Sequence, residues 1–246
     1  MPAASNSYSP VAPSLALLAL EPLRGLADYC ASFLSAGPQA RGDGHPVIVF
    51  PGLAGGPLST RPLRRFLGKA GYASYDWGQG LNTGPEGDFD DWLDKLDDHL
   101  VDVHSAHGRR VSLIGWSLGG IYARELAKRS GPLVRQVITL GTPFGALVDA
   151  NHAATAYRLL NGDTSRLTPD LQTRLRQTPE VPTTAIYSKT DGIVPWRACM
   201  EEDTHCAESV EASGVSHLGL GTHAKVLRIV ANRLAQPEGH WRRWDA

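Results

Sequence analysis

The sequence predicts an α/β protein in which a mostly parallel sheet is covered by helices on both faces. Three features predict it. The apolar run at 47–50, Val-Ile-Val-Phe, is continuous rather than alternating, as in strands buried on both faces. Such runs alternate along the chain with helical stretches. The side chains able to do chemistry fall just after the apolar runs, and parallel sheets collect their ligands at the carboxyl ends of their strands.

Bulk properties narrow the class. The 246 residues suit one domain spanning 1–246. Within it, 1–40 reads as an N-terminal extension with a helix, and 145–180 as a small helical cap insertion. A net charge of −1, with no charged tail, gives no electrostatic basis for nucleic-acid partners. Cys30, Cys199 and Cys206 are too few and odd in number for a disulfide framework. No second Cys/His cluster completes a zinc site beside His205 and Cys206, so neither metal nor cofactor is expected. The N-terminal stretch lacks the basic start and cleavage site of a secretory signal. No run approaches the roughly 18 apolar residues of a membrane span. The expectation is a soluble, cytoplasmic protein with no membrane span.

The elements follow in order. Residues 1–12 are rich in Pro, Ser and Ala and read as loose. Over 14–35, Leu15, Leu18, Leu23, Leu26 and Phe33 recur at a rough helical period, interrupted by Pro22. The plain reading is a helix docked on the core; the alternative is a flap over an apolar cleft. After the strand at 47–50, a helix should start at Leu58, capped by Ser59 or Thr60, with Pro62 in its first turn and Gly71 at its end. A short strand lies in YASYDWGQ, and 80–88 is loop by composition. In the next helix Phe89, Trp92, Leu93, Leu96, Leu100 and Val103 share a face, and the aspartates opposite read as solvated rather than metal-binding. Strand VSLIG, a helix from Leu118, and strand VRQVITLGTPF come next. TTAIYS and ESVEA are further strands, and HAKVLRIVANRLAQ is a last amphipathic helix.

The pattern Gly115-x-Ser117-x-Gly119 is weak alone in a chain with 26 glycines. Its setting strengthens it, because it follows a strand and opens a helix, where a nucleophile elbow needs small neighbours around an exposed serine. A serine hydroxyl needs a base to take its proton. Of nine histidines, His217 stands in a Gly/Ser loop directly after the last strand. Its neighbour His223 reads as a first-turn surface residue of the last helix. An imidazole so used needs a carboxylate to hold its tautomer. Asp191 follows the strand TTAIYS, whereas Glu201, Glu202 and Asp203 follow no strand. The competing reading of Asp191 is an ordinary Asp-Gly turn. An oxyanion hole needs two backbone N–H groups. Leu118, after the serine, is one; Leu53, in the glycine-rich loop after the first strand, is the other, with Ala54 second.

The segments VFPGLAGG, GWSLGGIYAREL, LGTPF, KTDGIVPW and SHLGLG resemble those of α/β-hydrolases of the bacterial lipase/esterase kind. The order Ser, Asp, His is the order of that fold. The resemblance implies an esterase or lipase acting through an acyl-enzyme on a small-molecule ester or lipid substrate, with room for transient contact with a lipid surface, and with Ser117, Asp191 and His217 as the triad. Trp116, Phe144 and Trp196 are candidates to line an acyl pocket, against the alternative that they are core. Where that family often has His-Gly after the first strand, this chain has Pro51-Gly52, which removes a side chain able to brace the loop. An acyltransferase or thioesterase could use the same residues, and a non-catalytic lipid-binding protein could keep the fold. A dehalogenase would want a carboxylate at position 117.

Overall fold

The computed structural model describes residues 11–32, 41–145 and 168–245. Six strands form one sheet: β1 (Pro46–Phe50), β2 (Ala73–Asp76), β3 (Val111–Trp116), β4 (Val134–Leu140), β5 (Thr183–Tyr187) and β6 (Ala207–Glu211). Their spatial order is β2-β1-β3-β4-β5-β6, and every pairing among them is parallel. A parallel neighbour can be reached only by a crossover, so helices cover both faces. They are α1 (Leu15–Ser32), α2 (Pro57–Ala70), α3 (Phe89–His107), α4 (Leu118–Arg129), α5 (Pro169–Arg176) and α6 (Ala224–Leu234).

Side-chain alternation along the strands feeds two cores. Val47, Val49, Ile114, Ile138 and Leu140 point to one face and pack with Leu63 and Leu67 of α2 and Val226 and Val230 of α6. Ile48, Phe50, Leu113 and Val137 point to the other and pack with the apolar stripe of α3 and with Tyr122 and Leu126 of α4. The continuous apolar runs are thus the mark of strands buried twice.

Three expectations need amendment or bounding. Helix α2 starts at Pro57, with Gly56 as its cap residue. Ser59 is its third residue and reaches back, accepting from the Gly56 N–H at 3.0 Å and donating to the Gly56 carbonyl at 2.8 Å. Helix α1 runs unbroken through Pro22, and three of the four leucines that suggest it face outward, Leu15 being 74% exposed, Leu23 66% and Leu26 58%, while Leu18 is half-buried and Phe33 lies outside the described residues. Its polar side chains do the docking instead. Most of the expected cap, 146–167, lies outside the described residues, and α5 is the helix seen in its remainder.

A buried ion pair fixes α4 to the loop before β6. The Arg124 and Glu201 side chains are 0% and 1% exposed and in direct contact. Arg124 also lies 3.7 Å from the Phe144 ring centroid and donates to the Gln177 carbonyl at 2.9 Å. Glu201 accepts from the Thr178 hydroxyl at 2.9 Å. Breaking one side of such a pair strands a desolvated charge, while an apolar replacement of both removes the problem. Glu201→Gln is therefore expected to lower stability by roughly 3–5 kcal/mol, and Arg124→Met with Glu201→Leu to recover most of it. Urea unfolding of the three proteins checks this, and a double variant no better than the single one would contradict it.

Candidate active site

The turn from β3 to α4 presents Ser117 with φ 52° and ψ −121°, a conformation that L-residues avoid and that costs on the order of 1–3 kcal/mol. It is held because its neighbours carry no side chains. A Cβ on Gly115 would lie 2.2 Å from the Gly120 Cα, and one on Gly119 would lie 2.5 Å from the Phe50 carbonyl oxygen. One on Gly120 would lie 2.0 Å from the Thr142 Oγ1. The Ser117 N–H donates to the Leu140 carbonyl at 2.8 Å, joining the turn to the end of β4. Ser117 is 7% exposed, and its backbone opens a helix N-terminus whose dipole favours negative charge.

Asp191 and His217 come from loops after β5 and β6, and meet. Asp191 Oδ2 lies 2.6 Å from His217 Nδ1, with both side chains buried. Its other oxygen accepts the Ile193 and Val194 N–H groups, each at 2.8 Å, so the carboxylate cannot rotate freely. The imidazole sits over Gly141, the residue after β4, where a Cβ would fall 3.1 Å from Nδ1. Leu140, which accepts the Ser117 N–H, directly precedes Gly141, so Ser117 and the His217 imidazole both lie beside the end of β4, at the carboxyl end of the sheet. Burial alone would lower the His217 pKa; the negative charge and hydrogen bond of Asp191, with the charge of Glu21, outweigh it, and the net shift is upward.

The loop after β1 lies against Ser117. A Cβ on Gly52 would stand 3.2 Å from the Ser117 Cβ, so glycine allows the approach without a tight contact. The Gly55 N–H returns to the Gly52 carbonyl at 2.9 Å, placing Leu53 and Ala54 at the tip of a turn, with Ala54 at φ 58°. The Ala54 N–H is already used, donating to the Asn82 carbonyl at 2.7 Å. Those of Leu53 and Leu118 find no acceptor among the described residues. Asn82, fully buried, braces the turn. Its amide donates to the Pro51 carbonyl at 2.8 Å, and its side-chain oxygen accepts from the Tyr122 hydroxyl at 3.3 Å. It occupies the bracing role left open by Pro51.

The remaining candidates lie farther into the packing. Trp116 donates from Nε1 to the His217 carbonyl at 3.2 Å, so it steadies the histidine loop. The Phe144 ring is buried with Ile121 and Leu175 under the Arg124 guanidinium. Trp196 stacks on Tyr187 at 5.5 Å. The rivals are elsewhere: Asp203 pairs with Arg243 at 3.1 Å, and His223 caps α6 by accepting from the Lys225 N–H at 3.1 Å. Two residues escaped the sequence reading. Asn82 was hidden in a polar loop, and Glu21 in a helix judged by its leucines.

The doubly covered parallel sheet with a serine at a strained strand-to-helix turn defines an α/β-hydrolase fold. The family model for the alpha/beta hydrolase family matches residues 47–242, and the chain belongs to that family. It is 31% identical over 110 residues to the mouse protein named serine hydrolase BPHL, a match spanning 42% of this chain and 38% of that one. Among solved structures it is similar to Aspergillus fumigatus lipase B, with a TM-score of 0.61 and 18% identity over 83% of this chain and 56% of that one. It is also similar to mature Bacillus licheniformis lipase BlEst2, with a TM-score of 0.58 and 18% identity over 82% and 95%. At such identities the structures establish a shared fold. No helix among the described residues is long and apolar enough to cross a membrane.

A second Asp, His, Ser line stands at the opposite, amino end of the sheet. His45 Nδ1 is 2.5 Å from Asp43 Oδ1, and its Nε2 is 2.8 Å from the hydroxyl of Ser112. Ser112 and His45 are both fully buried. Burial and the Arg135 charge hold the His45 pKa down at about 4 against the attraction of Asp43. Partial burial would raise the Asp43 pKa, but hydrogen bonds from Arg135 and His45 keep its carboxyl well below the usual range. His45 is neutral in the native state, while in the unfolded chain it takes a proton below pH 6.5. Its contribution is complete above pH 6.5 and is lost as pH falls toward 4, worth about 3 kcal/mol. His217, with its raised pKa, works in the opposite direction, so the two are separated by substitution. His45→Gln is expected to flatten the fall in unfolding free energy between pH 7.5 and roughly pH 4.5. Equal pH dependence in both proteins would rule this out.

Proposed function

We propose that this chain is a serine hydrolase of carboxylic esters, working by two-step acyl transfer. The observation that carries the reading is the 2.6 Å contact of His217 with Asp191 at the carboxyl end of the sheet, the end at which strained Ser117 also lies. The Ser117 Oγ attacks the ester carbonyl carbon as His217 Nε2 takes its proton. The tetrahedral oxyanion is held by the Leu53 and Leu118 N–H groups. His217 then protonates the departing alcohol, leaving an acyl-serine. Water, losing a proton to the same nitrogen, attacks the acyl carbon and releases the acid. Asp191 stays ionised, fixes the Nδ1–H tautomer and stabilises the imidazolium.

The substrate class in this reading is short to medium acyl esters, with longer lipids as the extension of that class. The lipase names of the solved structures of the same fold point the same way. Ser117→Ala is expected to lower p-nitrophenyl ester turnover by roughly 10⁴-fold or more, with circular dichroism unchanged. Turnover surviving in that variant would remove the serine from the mechanism. The base must be neutral to act, so kcat/KM falls as pH drops through the raised His217 pKa. Its acid limb should be centred above the ordinary imidazole value of 6.5. Asn82→Ala frees the loop that carries the Leu53 donor, and kcat is expected to fall roughly ten- to a hundredfold at little-changed KM. A change confined to KM would argue against Leu53 as a transition-state donor.

A further inference from the structure

Helix α1 meets the rest of the protein through Glu21, Arg24 and Asp28, which share one face at spacings of three and four residues. Every described partner of these side chains outside the helix lies in the loops that carry Asp191 and His217. Glu21, 2% exposed, accepts through Oε1 from the Gly192 N–H at 2.7 Å and the His217 N–H at 3.1 Å. Its Oε2 accepts from the Leu218 N–H at 3.3 Å. Arg24 lies 3.6 Å from Glu21 and donates to the Thr190 carbonyl at 2.7 Å and the Gly214 carbonyl at 3.2 Å. Asp28 accepts from the Ser216 hydroxyl at 2.6 Å and its N–H at 3.1 Å.

The seat for this helix is cut by glycines. A Cβ on Gly192 would lie 2.6 Å from the Leu17 carbonyl, and one on Gly25 would lie 2.6 Å from the Leu218 Cβ. One on Gly219 would lie 2.0 Å from the Asp28 carboxylate. The residues directly after Asp191 and close after His217 are therefore small where α1 lies. A general surface helix would need no such relief, and it would not bury a carboxylate against three backbone N–H groups.

We propose that Glu21 is a positioning residue of the hydrolytic site, a carboxylate carried in by α1 that holds the Asp191 loop and the His217 loop in one frame. This rests on the reading of Ser117, Asp191 and His217 as a triad. One oxygen shared between the Gly192 and His217 N–H groups sets the distance between the two loops. The His217 imidazole consequently meets its partner without having to order two mobile segments at each turnover. Glu21 also adds a second negative charge near the imidazole, favouring its protonated form together with Asp191. The charged and titratable groups around His217 are Asp191 with Cys199 near it, Glu21, Arg24 and Asp28 on α1, and His223 and Lys225 at the start of α6. Of these, Asp191 and Glu21 act on it most directly.

The test is the full chain with Glu21→Gln, nearly isosteric, and Arg24→Met, read by NMR titration of the His217 ring and by ester kinetics. Glu21→Gln is expected to lower the His217 pKa by about half a unit to one unit. The acid limb of kcat/KM should move down equally, and kcat fall roughly tenfold at nearly constant KM. Arg24→Met removes a cation from the same helix, so the His217 pKa is expected to stay or rise. Loosening of α1 alone would move both variants the same way, and that result, or a Glu21→Gln titration equal to wild type, overturns the proposal. The titration does not depend on turnover. Full activity in Ser117→Ala would refute the triad, whereas an inactive Ser117→Ala with an unmoved titration refutes Glu21 alone.

Discussion

The tight crossing of β3 into α4 is the constraint on which the site depends. Among the described residues, Ser117 and Ala54 alone hold positive φ without being glycine, and the loop that carries Ala54 approaches Ser117 through Gly52. A backbone in that region relaxes unless its surroundings forbid it. Here they do: the Ser117 N–H is tied to β4, and the missing side chains at 115, 119 and 120 let helix, strand and loop close to backbone contact. The same closeness brings Gly52 against the serine, so the two N–H groups at 53 and 118 are left turned away from secondary-structure partners. The strain at the serine and the free donors beside it have one cause.

Parallel topology explains why the other groups arrive at the same place. All strands run one way, so every loop after a strand emerges at one end. Asp191 and His217 need only short loops to meet above β4. Short loops are not rigid by themselves, however, and both contain glycines. What steadies them is hydrogen bonding to fixed elements: Ser188 Oγ to the Val215 carbonyl at 2.6 Å, Trp116 to the His217 carbonyl, and the carboxylates of α1 to the N–H groups. The histidine loop is therefore held from its backbone on two sides, and the His217 Nε2 has no hydrogen-bond partner among the described residues.

What could be read from the sequence divides along the same physical line. Strand ends, the elbow and the residues at 117, 191 and 217 lie in local patterns, where periodicity and turn chemistry act over a few neighbours. Helix α1 was visible as a helix, but a helical period counts apolar residues without saying which face is inward. Leu15, Leu23 and Leu26 drew attention to one face while Glu21, Arg24 and Asp28 docked the other. Gly192 and Gly219 are the available signal, each reading as a turn or loop residue until the helix is laid on it, and Gly25 is their counterpart on the helix itself. Asn82 was lost for a related reason. Its loop is polar by composition, yet its side chain is buried because the backbone of a second loop needs its amide. The rings of Phe144 and Trp196 were nameable as apolar but not placeable, since Arg124 and Tyr187 reach them from distant parts of the chain.

The two Asp, His, Ser lines in this molecule show how little residue identity decides. Asp43, His45 and Ser112 are hydrogen-bonded in sequence at distances fit for proton transfer. Their histidine is nonetheless held neutral by burial and by Arg135, so it is a poor proton acceptor, and Ser112 reaches no solvent. At the carboxyl end the balance is reversed. Burial opposes a charge on His217 there too, but Asp191 and Glu21 contribute negative charge without an arginine against the ring, and the imidazole becomes the stronger base. A nucleophile also needs an exit for developing negative charge, and the amino end of a sheet supplies no helix N-terminus behind its serine. Position on the sheet and the sign of the surrounding field separate two settings built of the same three residue types, and only the carboxyl-end setting suits the proposed chemistry.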